Sequence, residues 1–268
     1  MADLTRGLDA QGHLAREGAL ARIEAPFRPV VAAARDRLLD VFGARMTSAY
    51  LYGSVPRGTA RPGRSDLDLL LALRDEPTDA DRADARMLDE SLDKEFAQID
   101  GAGTLLFSRA RLLSDLETYD LGWFVACLCT PLLGEDLAEF LPRYRPTSLL
   151  ARETNGDLAL FLPRWRTRIA EAAPGELPGL QRGMARHLVR TGFTLVMPRW
   201  NGWTSDLGEM AEIFGTYYPR WAGPMRAAAD DAREPTGDLA ALGTYTEEIG
   251  PWLADEYARV HGIKAPRP

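Results

Sequence analysis

The chain has 268 residues and a formal net charge of −7, a balance that argues against a general nucleic-acid binder, which must neutralise many phosphates with basic groups, and that suits a cationic small-molecule partner. At 46% hydrophobic and 26% charged residues, the composition specifies folded cores and is long enough for two domains. No segment approaches about 18 uninterrupted apolar residues and the first residues lack the apolar centre of a signal peptide, so no membrane association and a cytoplasmic location are expected.

Residues 1–20 are polar and interrupted by glycine, and read as a flexible or surface-packed extension. Phe27, Val30, Val31, Leu38, Leu39 and Phe42 recur at helical spacing and predict a helix over 26–41 that closes near Gly43. Residues 47–52 predict a short strand. The stretch 53–65 carries Gly53, Pro56, Gly58, Pro62 and Gly63, which exclude regular structure there; residues 66–73 then predict a buried strand. Thr78 opens a charged amphipathic helix that runs to Phe96, and 102–107 predicts another strand.

Residues 109–140 are expected to add helical and short connecting elements, with 132–136 as a turn. Cys127 and Cys129 lie in the apolar run FVACLCTPLL, too close in sequence for an unstrained bridge, and are expected as buried thiols. The stretch PRYRP at 142–146 interrupts both helix and strand and marks a boundary. Beyond it, helical periodicity recurs over about 148–170, 178–197, 206–217, 220–233 and 237–260. The expected architecture is a small mixed α/β domain over 1–145 followed by an all-α helical bundle over 146–268.

The chemistry concentrates at 51–73, LYGSVPRGTARPGRSDLDLLLAL. Side chains two apart on a strand share a face, so Asp66 and Asp68 stand side by side at the start of the second strand. A cation relieves their mutual repulsion, and Mg²⁺ commonly binds through one or two carboxylates together with phosphate oxygens. Ser54 and the backbone N–H groups of the turn at Gly53 can donate to phosphates, and Arg57 or Arg64 can add charge-assisted bonds. Nucleotidyl transfer needs this combination of a positioned cation and phosphate donors.

The composite GS…RG…SDLDLL, with Ser65 directly before Asp66, resembles the signature of the DNA polymerase β-like nucleotidyltransferase superfamily. The helical second half, and the segment 188–228 in particular, is similar in layout to the streptomycin and spectinomycin adenylyltransferases. The resemblance implies an α/β nucleotidyltransferase domain with a helical acceptor domain, Gly53 and Ser54 as the nucleotide-phosphate loop, and Asp66 and Asp68 as catalytic Mg²⁺ ligands. It also implies ATP as donor. Arg57 and Ser65 complete the candidate nucleotide-binding set. The expected reaction moves AMP onto a hydroxyl of a small cationic acceptor such as an aminoglycoside or aminocyclitol, bound between the domains.

The superfamily places a third acidic residue on the strand after the helix, where this chain has Gly103. Asp100 and Glu95 are the nearest substitutes, and Asp100 is the third catalytic candidate, although an Asp-Gly pair also reads as a turn. For the acceptor, Trp203 and Asp206 can stack on and pair with a cation; Asp206 with Glu209 equally forms a capping box. His13, His187 and His261 are scattered and carry no triad or metal cluster. Two other readings stay open: a nucleotidyltransferase fold that binds ligand without chemistry, for which Gly103 speaks, and modification of a tRNA or a protein.

Overall fold

Ala15–Tyr144 forms one unit, built on a four-stranded sheet in a computed structural model that describes residues 6–265 and 267. Its elements are α1 (Arg28–Phe42), β1 (Met46–Tyr52), the single turn α2 (Ser54–Arg57), β2 (Leu67–Leu73), α3 (Asp79–Glu95), β3 (Ala102–Ser108), α4 (Arg109–Leu112) and β4 (Thr130–Gly134). Strand order is β3-β2-β1-β4. β1 pairs antiparallel with β2 and β4, whereas β2 and β3 run parallel across the α3 crossover.

β2 is apolar at every position after Asp68 because it is central and covered on both faces. Leu67, Leu69 and Leu71 pack in one core with Val30, Ala34 and Leu38 of α1 and Leu88 and Leu92 of α3. Leu70 and Ala72 face the other way, into a core with Tyr50, Leu112, Val125 and Leu137. Thr78 and Asp81 close the start of α3 as a reciprocal capping box,. The same helix guards the outer edge of β3. Asp93 Oδ1 accepts from the Ala102 backbone N–H at 2.6 Å, and Asp89 accepts from the N–H and hydroxyl of Thr104 at 3.1 and 2.6 Å.

Two features of this unit differ from the sequence expectation. The turn expected at 132–136 is part of β4, whose residues Thr130–Gly134 pair with Ser48–Leu51 of β1; the partner is more than 70 residues away and leaves no local periodicity. Residues 118–128 are a π-helical stretch interrupted at Trp123. Cys127 and Cys129 are free and buried as expected, and burial pushes the Cys127 thiol up to about 12 and that of Cys129 well above its ordinary range,.

The second unit takes the residues from Arg145 onward together with those up to Leu14. It is all-helical: α5 (Ser148–Asn155), α6 (Leu158–Glu171), α7 (Leu177–Trp200), α8 (Leu207–Tyr217), α9 (Ala222–Asp231), α10 (Leu239–Gly243) and α11 (Gly250–His261). The helix expected over 148–170 divides at Gly156, where a side chain would collide with the Arg152 carbonyl at 2.4 Å. The one expected over 237–260 divides into α10, a π-helical turn over Thr244–Ile249 and α11. Buried α7 is the centre: Leu188, Phe193, Leu195 and Val196 are fully enclosed.

Residues 6–14 pack on the helical unit through Leu8 and Leu14, both buried. The Trp203 N–H donates to the Arg6 carbonyl at 2.8 Å, Arg6 Nη1 to the Trp200 carbonyl at 2.6 Å, and Arg145 Nη2 to the Gln11 carbonyl at 2.7 Å. The part of the expected extension at 1–5 lies outside the described residues. Among the described residues no helix is long and apolar enough to cross a membrane.

Candidate active site

Where β1 ends at Tyr52, Gly53 turns the chain with φ 80° and ψ −153° into α2, and Gly58 in the left-handed region closes that single turn. Gly53 is needed for a second reason. A Cβ at this position would lie 2.2 Å from Oδ2 of Asp68, so the turn and the carboxylate are in direct contact. Asp68 stands opposite Tyr52 in the β1–β2 register, and the Tyr52 ring in turn meets Phe124 edge-on at 5.0 Å. Phe124 enters from the π-helical stretch; neither helical nor strand periodicity discloses it.

Asp66 precedes β2 by one residue. A Cβ on Gly101 would be 3.8 Å from its Oδ1. The turns leading into the two parallel strands are laced together, with the Leu67 N–H donating to the Gly101 carbonyl at 2.8 Å and the Asp100 N–H to the Ser65 carbonyl at 3.1 Å. Asp66, Asp68, Gly53 and Ser54 are thereby gathered at one end of the sheet, where β1 finishes and β2 and β3 begin. Both carboxylates are hard oxygen donors, and a Mg²⁺ ion that completes its shell with phosphate oxygens and water fits such a pair.

The remaining sequence candidates fall in different surroundings. Ser65 Oγ accepts from the Arg61 N–H at 2.9 Å and so holds the loop before β2 together. Arg57 faces Glu17 at 3.5 Å. Asp100 is exposed on the turn beside Gly101, whereas Glu95 pairs with Arg37 of α1. Gly103 is the residue opposite Asp68 in the β2–β3 register, and a Cβ there would meet nothing within 4 Å. Among the described residues, no three or more His, Cys, Asp or Glu side chains are grouped to hold a metal.

In the helical unit, Trp203 is buried to 8% exposure with its ring against Phe193 at 5.5 Å. Asp206 caps α8 by accepting from the Glu209 N–H at 2.8 Å and faces Arg233 at 3.2 Å. The two residues are therefore core and cap in this structure, and their sequence proximity does not make an open stacking platform. His261 Nε2 donates to the Leu195 carbonyl at 2.9 Å, which leaves Nδ1 to accept from Ser148 Oγ at 2.7 Å. His187 lies 3.6 Å from Asp157.

The family model described as the nucleotidyltransferase domain matches residues 33–100. The chain carries a nucleotidyltransferase domain. The matched stretch runs from α1 to the turn before β3 and contains Gly53, Ser54, Asp66 and Asp68; Gly103 lies just beyond the nucleotidyltransferase match. No curated protein matches the chain. Among solved structures it is similar to spectinomycin adenyltransferase AAD(9) from Enterococcus faecialis, crystallised with ATP and spectinomycin. That similarity has 12% identity and a TM-score of 0.48, and covers 85% of this chain and 98% of the other.

Proposed function

We propose that the chain is a Mg²⁺-dependent adenylyltransferase that moves AMP from ATP to a hydroxyl of a small cationic acceptor, an aminoglycoside or aminocyclitol, and releases pyrophosphate. The observation that carries this reading is the contact between Gly53 and the Asp68 carboxylate inside the matched nucleotidyltransferase segment. It supports reading the turn and the aspartate pair as one centre for phosphate and cation. Asp66 and Asp68 would hold Mg²⁺, which would neutralise the triphosphate oxygens. Ser54 and the N–H groups at the start of α2 donate to the phosphate chain.

In the transfer, the acceptor oxygen bonds to the α-phosphorus as the bond from that phosphorus to the bridging oxygen breaks, and the hydroxyl proton passes to a base. Asp100, exposed beside the turn that adjoins Asp66, is the residue we assign to that role. The net charge of −7 favours a cationic acceptor,.

The test is pyrophosphate release and transfer of label from α-labelled ATP, with Mg²⁺ and a panel of aminoglycosides and aminocyclitols. Asp68→Asn should lower the rate by about 10²- to 10³-fold, the scale for deleting one preorganised electrostatic group; an undiminished rate in that variant overturns the assignment. Gly103 favours a second reading, a nucleotide-binding protein without transfer. Under that reading Mg²⁺ and ATP raise the melting temperature while no acceptor elicits pyrophosphate.

A further inference from the structure

The geometry points to a site for a single divalent cation: we infer that Asp66 and Asp68 retain one cation per bound nucleotide, and that the glycine at 103 is what holds the number at one. The inference rests on the nucleotide-site reading above and adds the stoichiometry and the residue that sets it.

Two ions roughly 3.5 to 4 Å apart need carboxylates that bridge them and others that flank them. One Mg²⁺ is satisfied by one or two carboxylates, phosphate oxygens and water. On a sheet, the cross-strand side chains nearest a given residue are those at the positions paired with it on the adjacent strands. For Asp68 those positions are Tyr52 on β1 and Gly103 on β3. The β1 side is filled, because Tyr52 packs on Phe124 and Gly53 lies against Asp68 Oδ2. The β3 side is open. Nothing lies within 4 Å of a Cβ on Gly103, and Leu105, the next residue on the same face of β3, is 40% exposed.

The nearby acids do not close that gap. Asp89 and Asp93 bind the outer edge of β3 from α3, and Glu95 is held by Arg37. Asp100 stands on the turn before the strand, with its N–H bonded to the Ser65 carbonyl. Gly103 lies outside the left-handed region and has room for a side chain, so an aspartate there can stand beside Asp68 and supply a third carboxylate.

The experiment counts Mn²⁺ retained by the full chain at equilibrium dialysis with α,β-methylene-ATP, read by electron paramagnetic resonance and corrected for Mn²⁺ on free nucleotide. The wild type should retain one ion per chain, and Asp100→Asn should leave that count unchanged. Gly103→Asp should retain two, with a melting temperature that falls without metal and recovers with Mn²⁺, while the neutral Gly103→Asn stays at one. Two ions in the wild type, or one in a folded Gly103→Asp variant, overturn the inference, and the first of these outcomes overturns it even where the variant does not fold. Failure of the underlying reading looks different: nucleotide-dependent Mn²⁺ retention would then be missing from the wild type, or would persist unchanged in Asp68→Asn.

Discussion

At the scale of single residues, Gly53 and Gly63 separate two reasons for glycine. Both have positive φ, 80° and 70°, a conformation that costs a side-chain-bearing residue about 1–3 kcal/mol. At Gly63 nothing lies within 4 Å of an added Cβ, whereas at Gly53 it would overlap Asp68 Oδ2. Gly63→Ala should therefore lower the melting temperature and keep the further stabilisation by Mg²⁺ and ATP. Gly53→Ala should lower the melting temperature and lose that stabilisation, a contrast that thermal scanning with and without Mg²⁺ and ATP checks. The Gly-Ser turn and the aspartate pair were legible in the sequence because period-two alternation and glycine punctuation are local signals. Ser65 and Arg57 stand in the same stretch, yet their partners, the Arg61 N–H and Glu17, are set by the path of the loop and by a segment 40 residues earlier. Trp203 shows the same limit, since only the fold reveals the Phe193 ring that covers it.

At the scale of elements, β3 is an edge strand whose outward N–H groups are bound by carboxylates of α3 instead of another strand. An open edge invites pairing with other chains, and Asp89 and Asp93 occupy the groups such pairing would use. Burial, the largest influence on Asp89, raises its pKa above the ordinary carboxylate range in spite of the Thr104 bonds. A raised carboxyl pKa means that the contribution of this group to stability declines as pH rises through it. Asp89→Ala leaves two half-buried donors of Thr104 without their acceptor, at a cost of about 1 kcal/mol, the low end of the range for an unsatisfied buried group,. Amide exchange at Thr104 should accelerate by about 10-fold or more, measured by hydrogen exchange, with less change in β1. Strands β1, β2 and β3 and helices α1 and α3 were readable from periodicity and caps. β4 was not, because its residues TPLLG gain strand geometry from pairing with β1 and end in a Gly134 turn that dominates the local pattern.

At the scale of the whole molecule, the pair of prolines at 142–146 is a local signal, while the allegiance of residues 6–14 to the helical unit leaves none, since the partners of Arg6 and Gln11 are 194 and 134 residues distant. The helical unit also contains the clearest source of pH sensitivity near neutrality. Burial lowers the pKa of His261 below its ordinary value, partly opposed by the bond to the Leu195 carbonyl. The unfolded chain then takes up its proton first as pH falls, so this stabilisation is complete above about pH 6.5 and is lost progressively below it. Melting temperature measured between pH 7.5 and 5 should decline below about pH 6.5, and His261→Gln should flatten that part of the profile.

The path of the chain, out of the helical unit after Leu14 and back into it at Arg145, has a consequence for biosynthesis. Residues 6–14 emerge from the ribosome before the sheet unit, but their anchors at Arg145, Trp200 and Trp203 are translated only after the entire sheet unit. The nascent sheet unit can close early, from contacts within Ala15–Tyr144, while the leading segment waits through the synthesis of α7 before it can dock. Ribosome-bound chains stalled once Tyr144 has cleared the exit tunnel but α7 has not should therefore protect β1 and β2 from protease and leave the leading segment cleavable, and chains stalled after α8 has cleared the tunnel should protect both.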